Sequence, residues 1–563
     1  MRKNESNLTT TKQKNNALSW LMLRSKKQNF KMALLIIANA IFSVLSILFA
    51  FAIKEIIDSA TKYQDINRLI SYSVAIGVIV ILQFVFRIIT NALLEHIRGK
   101  LEMDYKTHIF SCILEKKQDK ISLYHSGELM NRLTADVAIV ADGMSSIVPL
   151  IVASVVRLVC AVIALIILDW IFAIAFSVAG ILVFLTITLL RGKLKSLHKE
   201  TQETDGKVRS FMQECIENLL ALKVFSVNDK IENKSANLQD ENFKVKMERK
   251  NYSVLGNATY NFIFSAGYLF ALIYGGIKVL YAGLTYGALS AILQLVNNVQ
   301  VPFASLSNVL PKYYSTIASA ERLMEIEEIE SEEKTSDFDN DLVYSKMKGI
   351  CIKDISFSYD RDTVLKNANL YINKGDFVVI EGTSGVGKST LIKLMLGVYS
   401  AKDGRIFADL DDGELELNST TRTLFSYVPQ GNMLFSGTLK DNVTFIKQDA
   451  TEEQIERALT VSCVKDFIDE LPFGLQTMVG ENGVGLSEGQ IQRVAIARAI
   501  LCDAPIILLD EATSALDEAT ESNLLNNLKE LKDITLIIIS HKKAAEKICN
   551  RKIKVSSKGI VEF

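Results

Sequence analysis

Hydrophobic and polar positions are unevenly distributed along this chain. Nearly all long uncharged runs fall before residue 312, and from about residue 349 short apolar runs alternate with mixed segments. The first long run, "MALLIIANAIFSVLSILFAFAI" from Met32 to Ile53, holds 22 residues without a charge. About 20 such residues suffice to cross the hydrocarbon core of a bilayer as a helix. Further spans are predicted over Leu69–Leu94, Met144–Leu168 and Trp170–Leu190, with Arg87 and Arg157 inside the first two. The stretch Asn251–Pro311 has one charge, Lys278, and a break at "YAGLTYGALS", so it predicts two spans. Six are expected in all. A cleaved signal peptide is not expected, since the first run follows about thirty mostly polar residues and is too long for an h-region. Just before it, "ALSWLMLRSKKQ" sets Trp20 and apolar residues beside Arg24, Lys26 and Lys27, the pattern of a helix lying in a membrane interface.

Lysine and arginine crowd the connections 95–142 and 191–250, whereas 168–170 and 279–290 contain neither. The positive-inside tendency places the long connections, and both chain ends, in the cytosol of a multi-pass protein of the cell membrane. Those connections have no proline and little glycine, with apolar residues near helical spacing, so they are expected to continue the membrane helices outward. About twenty extra residues at roughly 1.5 Å each make a lever of about 30 Å. The expected segments are a tail and interfacial helix over 1–30, a transmembrane domain over 31–320, an acidic linker over 321–348 and an α/β domain over 349–563.

The second half carries the chemistry. In "VVIEGTSGVGKSTLIKLMLG" the pattern Gly382-x4-Gly387-Lys388-Ser389 lies between a strand and a helix. Such a loop, Gly382, Thr383, Ser384, Gly385, Val386 and Gly387, turns backbone N–H groups inward to hold phosphates, aided by the helix N-terminus that continues through Thr390. Lys388 is expected to meet the outer phosphates and Ser389 to ligate Mg²⁺. Downstream, the apolar run Ile506–Leu509 ends in Asp510-Glu511. An acid at a strand end can hold the metal and its neighbour can accept a proton from attacking water, so Asp510 is assigned to metal and Glu511 to base. His541 follows another apolar run and is expected at the same sheet end.

These motifs, with Tyr359 in "FSYD", Gln430 in "YVPQ", Glu481 in "TMVGENG", "LSEGQ" (Leu486–Gln490) and Asp517 in "SALD", stand in one order. The chain thereby resembles an ABC exporter half-transporter of the type I exporter (type IV transporter) fold. That resemblance implies six long transmembrane helices with cytosolic extensions, followed by a P-loop NTPase ATP-binding cassette domain. It further implies that Tyr359 stacks on adenine, that Gln430 senses Mg²⁺ and the attacking water, and that His541 contacts the γ-phosphate. Ser487, Gly489 and Gln490 would serve an ATP held by the opposite subunit, Asp517 would join two such domains, and Glu481 would lie near the partner's helices. A second half-transporter is therefore expected, a homodimer first and a heterodimer as the alternative. Glu488, where the family more often has a small residue, is expected to point away from the nucleotide.

Bulk composition narrows the remaining classes. Lys+Arg 63 against Asp+Glu 64 gives no global positive field, so nucleic acid is not an expected partner. Seven scattered cysteines, never in a C-x-x-C pair, suggest neither a disulfide framework nor a zinc site. Polar groups inside spans are candidates for the cargo path. Arg157 stands mid-span, and Gln83, Gln294, Asn297 and Asn298, with Phe262, Phe264 and Tyr268, would suit an amphipathic cargo such as a peptide, lipid or drug-like molecule. Mutual satisfaction of these groups at helix contacts is the competing structural reading, and Arg87, nearer a span end, can reach the interface. Export by alternating access is the main functional reading, with import on the same scaffold or an ATP-gated channel as alternatives.

Overall fold

In the computed structural model, residues 16–281, 283–333, 339–359, 362–383, 385–431, 434–480, 485–531, 533–556 and 559–562 are described. Ser384 and Glu481 lie outside them. The chain divides into two compact units, one running to Ile113 and resuming over Ser126–Glu328, the other made of Leu114–His125 and Ile329–Phe563.

The first unit is helical: α1 (Asn29–Asp58), α2 (Ile66–Glu115), α3 (Val137–Leu168), α4 (Trp170–Glu217), α5 (Asn228–Leu280) and α6 (Tyr286–Glu328). Within hydrocarbon every backbone N–H and C=O needs an internal partner, which an uninterrupted helix supplies. Among the described residues five helices are long and apolar enough to cross a membrane: Asn16–Tyr63, Ile66–Glu115, Ser126–Leu168, Trp170–Leu190 and Asn228–Leu280. The sixth expected span falls on α6, whose apolar sequence is diluted by Gln294, Asn297, Asn298 and Gln300.

The long connections continue the helices as expected. At 50 residues, α2 extends about 75 Å. Turns between spans are made locally. Gln64, in the left-handed region at φ 49°, ends the helical run that follows α1. Asp169, extended at φ −169°, reverses the chain between α3 and α4 and accepts a hydrogen bond from the Ile171 N–H at 3.0 Å. Helix α6 packs on α3 and α1, while α4 packs on α5. In the expected interfacial segment Trp20 is only 8% exposed and stacks on Tyr105 with ring centroids 5.5 Å apart, while Met22 and Leu23 are exposed. Its indole packs into protein, because α2 continues far enough to offer an aromatic face.

The second unit holds two larger sheets, one of them antiparallel. That sheet has the order β2 (Asp362–Asn373), β1 (Met347–Tyr359), β4 (Asp403–Leu410), β5 (Gly413–Glu416). The six-stranded sheet has the order β10 (Gly559–Glu562), β9 (Arg551–Ser556), β3 (Phe377–Glu381), β8 (Thr535–Ile539), β7 (Ile506–Asp510), β6 (Phe425–Val428). All its neighbouring pairs are parallel except β9 with β10. Alternate residues of its central strands enter different cores: Ile506, Leu508, Ile537 and Ile539 one, and Ile507, Leu509, Leu536 and Ile538 the other. A sheet covered on both faces accounts for the unbroken apolar runs that lead into the motifs. The tip Leu114–His125 joins this unit through the Lys117 N–H to Glu330 C=O bond at 3.1 Å and the Glu332 N–H to Glu115 C=O bond at 2.8 Å.

Candidate nucleotide site and membrane polar cluster

Parallel strands end at one edge of their sheet, and loops there converge. Strand β3 delivers the glycine-rich loop, β7 delivers Asp510 and Glu511, β6 leads to Gln430 and β8 to His541. The loop closes on α7 (Lys388–Met395), with Gly387 as its N-cap at φ 104°. A Cβ there would come within 2.5 Å of Val364 Cγ1, so both the backbone angle and the space call for glycine. Lys388 Nζ donates to the C=O of Gly382 at 2.7 Å and of Thr383 at 3.2 Å, and lies 3.2 Å from His541 Nε2. The ammonium is thus held over the hollow of the loop. Gly385 and Val386 complete that loop, with the Val386 N–H donating to Thr383 C=O at 3.3 Å.

Asp510 is buried at 1% exposure. Ser389 Oγ donates to its Oδ1 at 2.9 Å, and the Tyr427 hydroxyl donates to its Oδ2 at 3.3 Å. Burial pushes the Asp510 carboxyl above the usual carboxylate range, against the pull of these two donors, and neighbouring Glu511 adds to the rise. A buried carboxylate beside a serine hydroxyl is the all-oxygen set that a hard divalent cation takes, so the residues fit Mg²⁺. Glu511 adopts the left-handed region at φ 53°, which costs a non-glycine residue about 1–2 kcal/mol. Its N–H donates to Ile539 C=O at 3.1 Å, and its Oε2 accepts from Gln430 Nε2 at 2.6 Å. The strained turn aims the carboxylate out of the sheet edge, where water can reach it.

Tyr359 is 40% exposed and stands edge-on to Phe357 (4.9 Å, 89°) and Tyr399 (5.4 Å, 90°). Its hydroxyl lies 3.3 Å from Thr390 Oγ1, so Thr390 supports the ring.

The turn "LSEGQ" runs into a helix. Its helix, α8 (Glu488–Leu501), starts two residues before Gln490. Ser487 Oγ accepts from the Gln490 N–H at 3.3 Å and Gln490 Oε1 accepts from the Ser487 N–H at 2.8 Å, a reciprocal cap that pulls Glu488 into the first turn. Glu488 is exposed there. A Cβ on Gly489 would lie 2.9 Å from Ala515 C=O, so this glycine permits close approach to the loop before Asp517. Two residues not singled out in the sequence brace that loop. Gln492 donates to Ser514 Oγ at 2.9 Å and accepts from the Ala515 N–H at 3.1 Å, and Lys542 donates to Thr513 and Leu516 C=O at 2.8 and 2.6 Å. Position beside known motifs, after "LSEGQ" and after His541, is the only sequence signal for them. Tyr427, inside "YVPQ", was equally visible and equally unassigned.

Asp517 caps α9 (Glu518–Lys529), accepting from the Ala519 and Thr520 N–H groups at 3.1 and 2.9 Å. The Thr520 N–H, first among these donors, holds its carboxyl below the usual range. Among the described residues no hydrogen bond or ion pair links Ser487, Gly489 or Gln490 to Lys388, Ser389, Glu511 or His541.

In the helical unit, Arg157 Nη2 donates to Ser46 Oγ at 3.0 Å, Ser46 Oγ to Asn298 Oδ1 at 2.8 Å, and Gln83 Nε2 to Leu45 C=O at 3.2 Å. Helices α1, α2, α3 and α6 therefore meet at Leu45–Ser46. Arg157 Nε is buried without a hydrogen-bond partner. Gln294 is half-buried and Asn297 exposed, and neither enters this network. Of the three aromatics, Phe264 is 2% exposed in the core, while Phe262 is 74% and Tyr268 43% exposed. Arg87 is exposed.

A family model described as the ABC transporter transmembrane region matches residues 32–303, and one described as ABC transporter matches 365–514. The chain is 29% identical over 533 residues, 94% of its length and 88% of the relative's, to the ATP-dependent lipid A-core flippase of Syntrophus aciditrophicus (strain SB). It is 28% identical over 517 residues, 91% of its length and 90% of the relative's, to the flippase of the same name from Desulfotalea psychrophila (strain LSv54 / DSM 12343). To the ABC transporter B family member 1 of Dictyostelium discoideum it is 29% identical over 516 residues, 90% of its length and 56% of the relative's. With the two matched regions following one another in a single chain, and a phosphate loop, paired acids and histidine gathered at one sheet edge in a chain that also carries a set of apolar helices, the chain belongs to the ABC transporters as an exporter-type half-transporter that hydrolyses ATP to drive transport across a membrane.

Proposed function

We propose that two copies of this chain pair to export an anionic amphipathic lipid from the inner leaflet, with both chain ends in the cytosol of a cell membrane. The observation that carries the substrate class is the half-buried guanidinium of Arg157, bonded to Ser46 and retaining a buried, unpartnered Nε, among the apolar helices. An acidic headgroup would satisfy that donor while acyl chains lie along the apolar helices. The lipid A-core named in two relatives belongs to this class.

Pairing is supported by the lack, among the described residues, of any hydrogen bond or ion pair between "LSEGQ" and the phosphate loop of one chain, since a second copy would bring its turn to the first copy's nucleotide. Lys388 and His541 would bind the terminal phosphate. Ser389 and Asp510 would hold Mg²⁺, which when bound offsets phosphate charge and orients the reacting group. Glu511 would take a proton from water positioned by Gln430, Tyr359 would carry the adenine, and Asp517 would brace the loop that faces the partner.

The test is ATPase activity in proteoliposomes with an acidic glycolipid or an uncharged lipid of equal chain length. Stimulation by the acidic lipid is expected, and equal stimulation by both sinks the headgroup reading. Arg157→Ala is expected to raise the half-maximal lipid concentration about tenfold or more, the equivalent of one charge-assisted hydrogen bond at about 1.5–3 kcal/mol, and to alter stimulated turnover more than basal turnover. Equal effects on both would leave Arg157 a structural role. Glu488→Gly is expected to keep kcat within about twofold, under ~0.5 kcal/mol of barrier, because the side chain faces solvent from the first turn of α8. A large gain would instead identify the acid as a brake.

A further inference from the structure

Beyond the membrane-spanning part of α2, His108 and Cys112 stand one helical turn apart and share a face. The end of α6 brings Glu327 to that face, although it is 219 residues away from His108 in sequence. His108 Nε2 hydrogen-bonds Glu327 Oε1, and Cys112 Sγ lies 3.4 Å from His108 Nε2. The three potential ligand atoms all lie within 4.8 Å of one another. The side chains of His108 and Glu327 keep 28% and 20% exposure, so a dissolved ion can reach them. Around them the fold is firm: Tyr105 and Ile109, on the same helix face, are at most 2% exposed, and Trp20 stacks on Tyr105.

We propose that His108, Cys112 and Glu327 form a binding site for a divalent transition-metal cation of the zinc class. One imidazole nitrogen, one sulfur and one carboxylate oxygen are each ordinary zinc ligands, and three protein ligands leave a fourth position for water. Magnesium and calcium, which take oxygen donors, do not match this set. Binding takes the imidazole neutral and the thiol as thiolate, with the thiol proton released to solvent. Trp20 Nε1 and Arg24 Nη2, each donating to Glu327 at 2.8 Å, orient the carboxylate from outside the ligand set. The bound ion would fasten α2 to the last helix before the acidic linker, so the site also provides a means of holding those two helices in register.

The full-length protein in nanodiscs is titrated with Co²⁺ as a coloured probe. A near-ultraviolet thiolate-to-Co²⁺ band is expected, saturating at one ion per chain and abolished by Zn²⁺. Cys112→Ser should remove the band. His108→Ala should weaken Co²⁺ binding at least about tenfold, since loss of an outer-shell partner alone costs 10–100-fold. Glu327→Gln is read alongside them, with ATP binding and thermal unfolding as the check on folding, because Glu327 also holds Trp20 and Arg24. Absence of the band, its persistence in Cys112→Ser, or unchanged affinity in a folded His108→Ala would each overturn the site.

Discussion

Replacing Glu511 with Gln is expected to lower kcat for ATP hydrolysis by about 10²- to 10⁴-fold, the range contributed by a positioned general base. The shape of the side chain is kept, and an amide oxygen can still accept from Gln430 Nε2, which lies 2.6 Å from Glu511 Oε2 in the native chain. Nucleotide affinity should therefore stay close to native. The binding groups at Lys388, Ser389 and the loop are untouched by the change. Parallel measurement of steady-state ATPase and of nucleotide retained after rapid gel filtration separates the two effects. Turnover near the native rate would remove Glu511 from its proposed role. Loss of both binding and turnover would instead point to collapse of the strained turn at φ 53°.

Asp510→Asn carries the second large effect, and its two consequences have opposite sign. Burial raises the native carboxyl above its unfolded value. For a group shifted in that direction, the contribution to stability is fully present below the unfolded pKa and is lost as pH rises through the folded pKa. At neutral pH the nucleotide-free chain thus retains a buried charge at a cost, only partly offset by the Ser389 and Tyr427 hydroxyls. Asparagine removes the charge and keeps an oxygen for one of those donors. The thermal midpoint of the nucleotide-free protein is expected to rise at pH 7, by about 2–4 °C for each kcal/mol relieved in a domain of this size, and to lose that advantage toward pH 4. Mg²⁺-dependent hydrolysis is expected to fall at least about a hundredfold, because a neutral amide cannot replace the carboxylate ligand. Scanning fluorimetry across pH and ATPase titration with Mg²⁺ read the two halves independently. A lowered midpoint at pH 7 would refute the burial argument, and undiminished Mg²⁺ dependence would refute the ligand assignment.

The same division between local and long-range information runs through the whole chain. Spans were legible because the transfer free energy of an uncharged run depends on the run itself, as in Met32–Ile53. Levers were legible because absence of proline and helical spacing are also local. The phosphate loop was legible because a glycine at φ 104° leaves a trace in the sequence wherever the turn is needed. Asp510 and Glu511 were visible as acids ending an apolar strand, and β7 places them at that end.

Neighbour relations had no comparable trace. That Arg157 meets Ser46, and Ser46 meets Asn298 across 252 residues, depends on which helices pack together. That Gly489 is small because of Ala515, or that Trp20 rests on Tyr105, depends on the path of chain segments far away. The start of α8 lay between the two cases: its cap is local, but Ser487 and Gln490 serve both a helix terminus and a phosphate motif, and the motif concealed the cap. By itself the sequence determined the membrane half, the nucleotide half and the candidates for the reacting groups, since hydropathy and backbone conformation are properties of short segments. Only the tertiary structure decided which polar groups inside the bundle are paired, which glycine admits a neighbour, and that His108, Cys112 and Glu327 share one point in space, because a side chain's partner is set by where the rest of the chain returns.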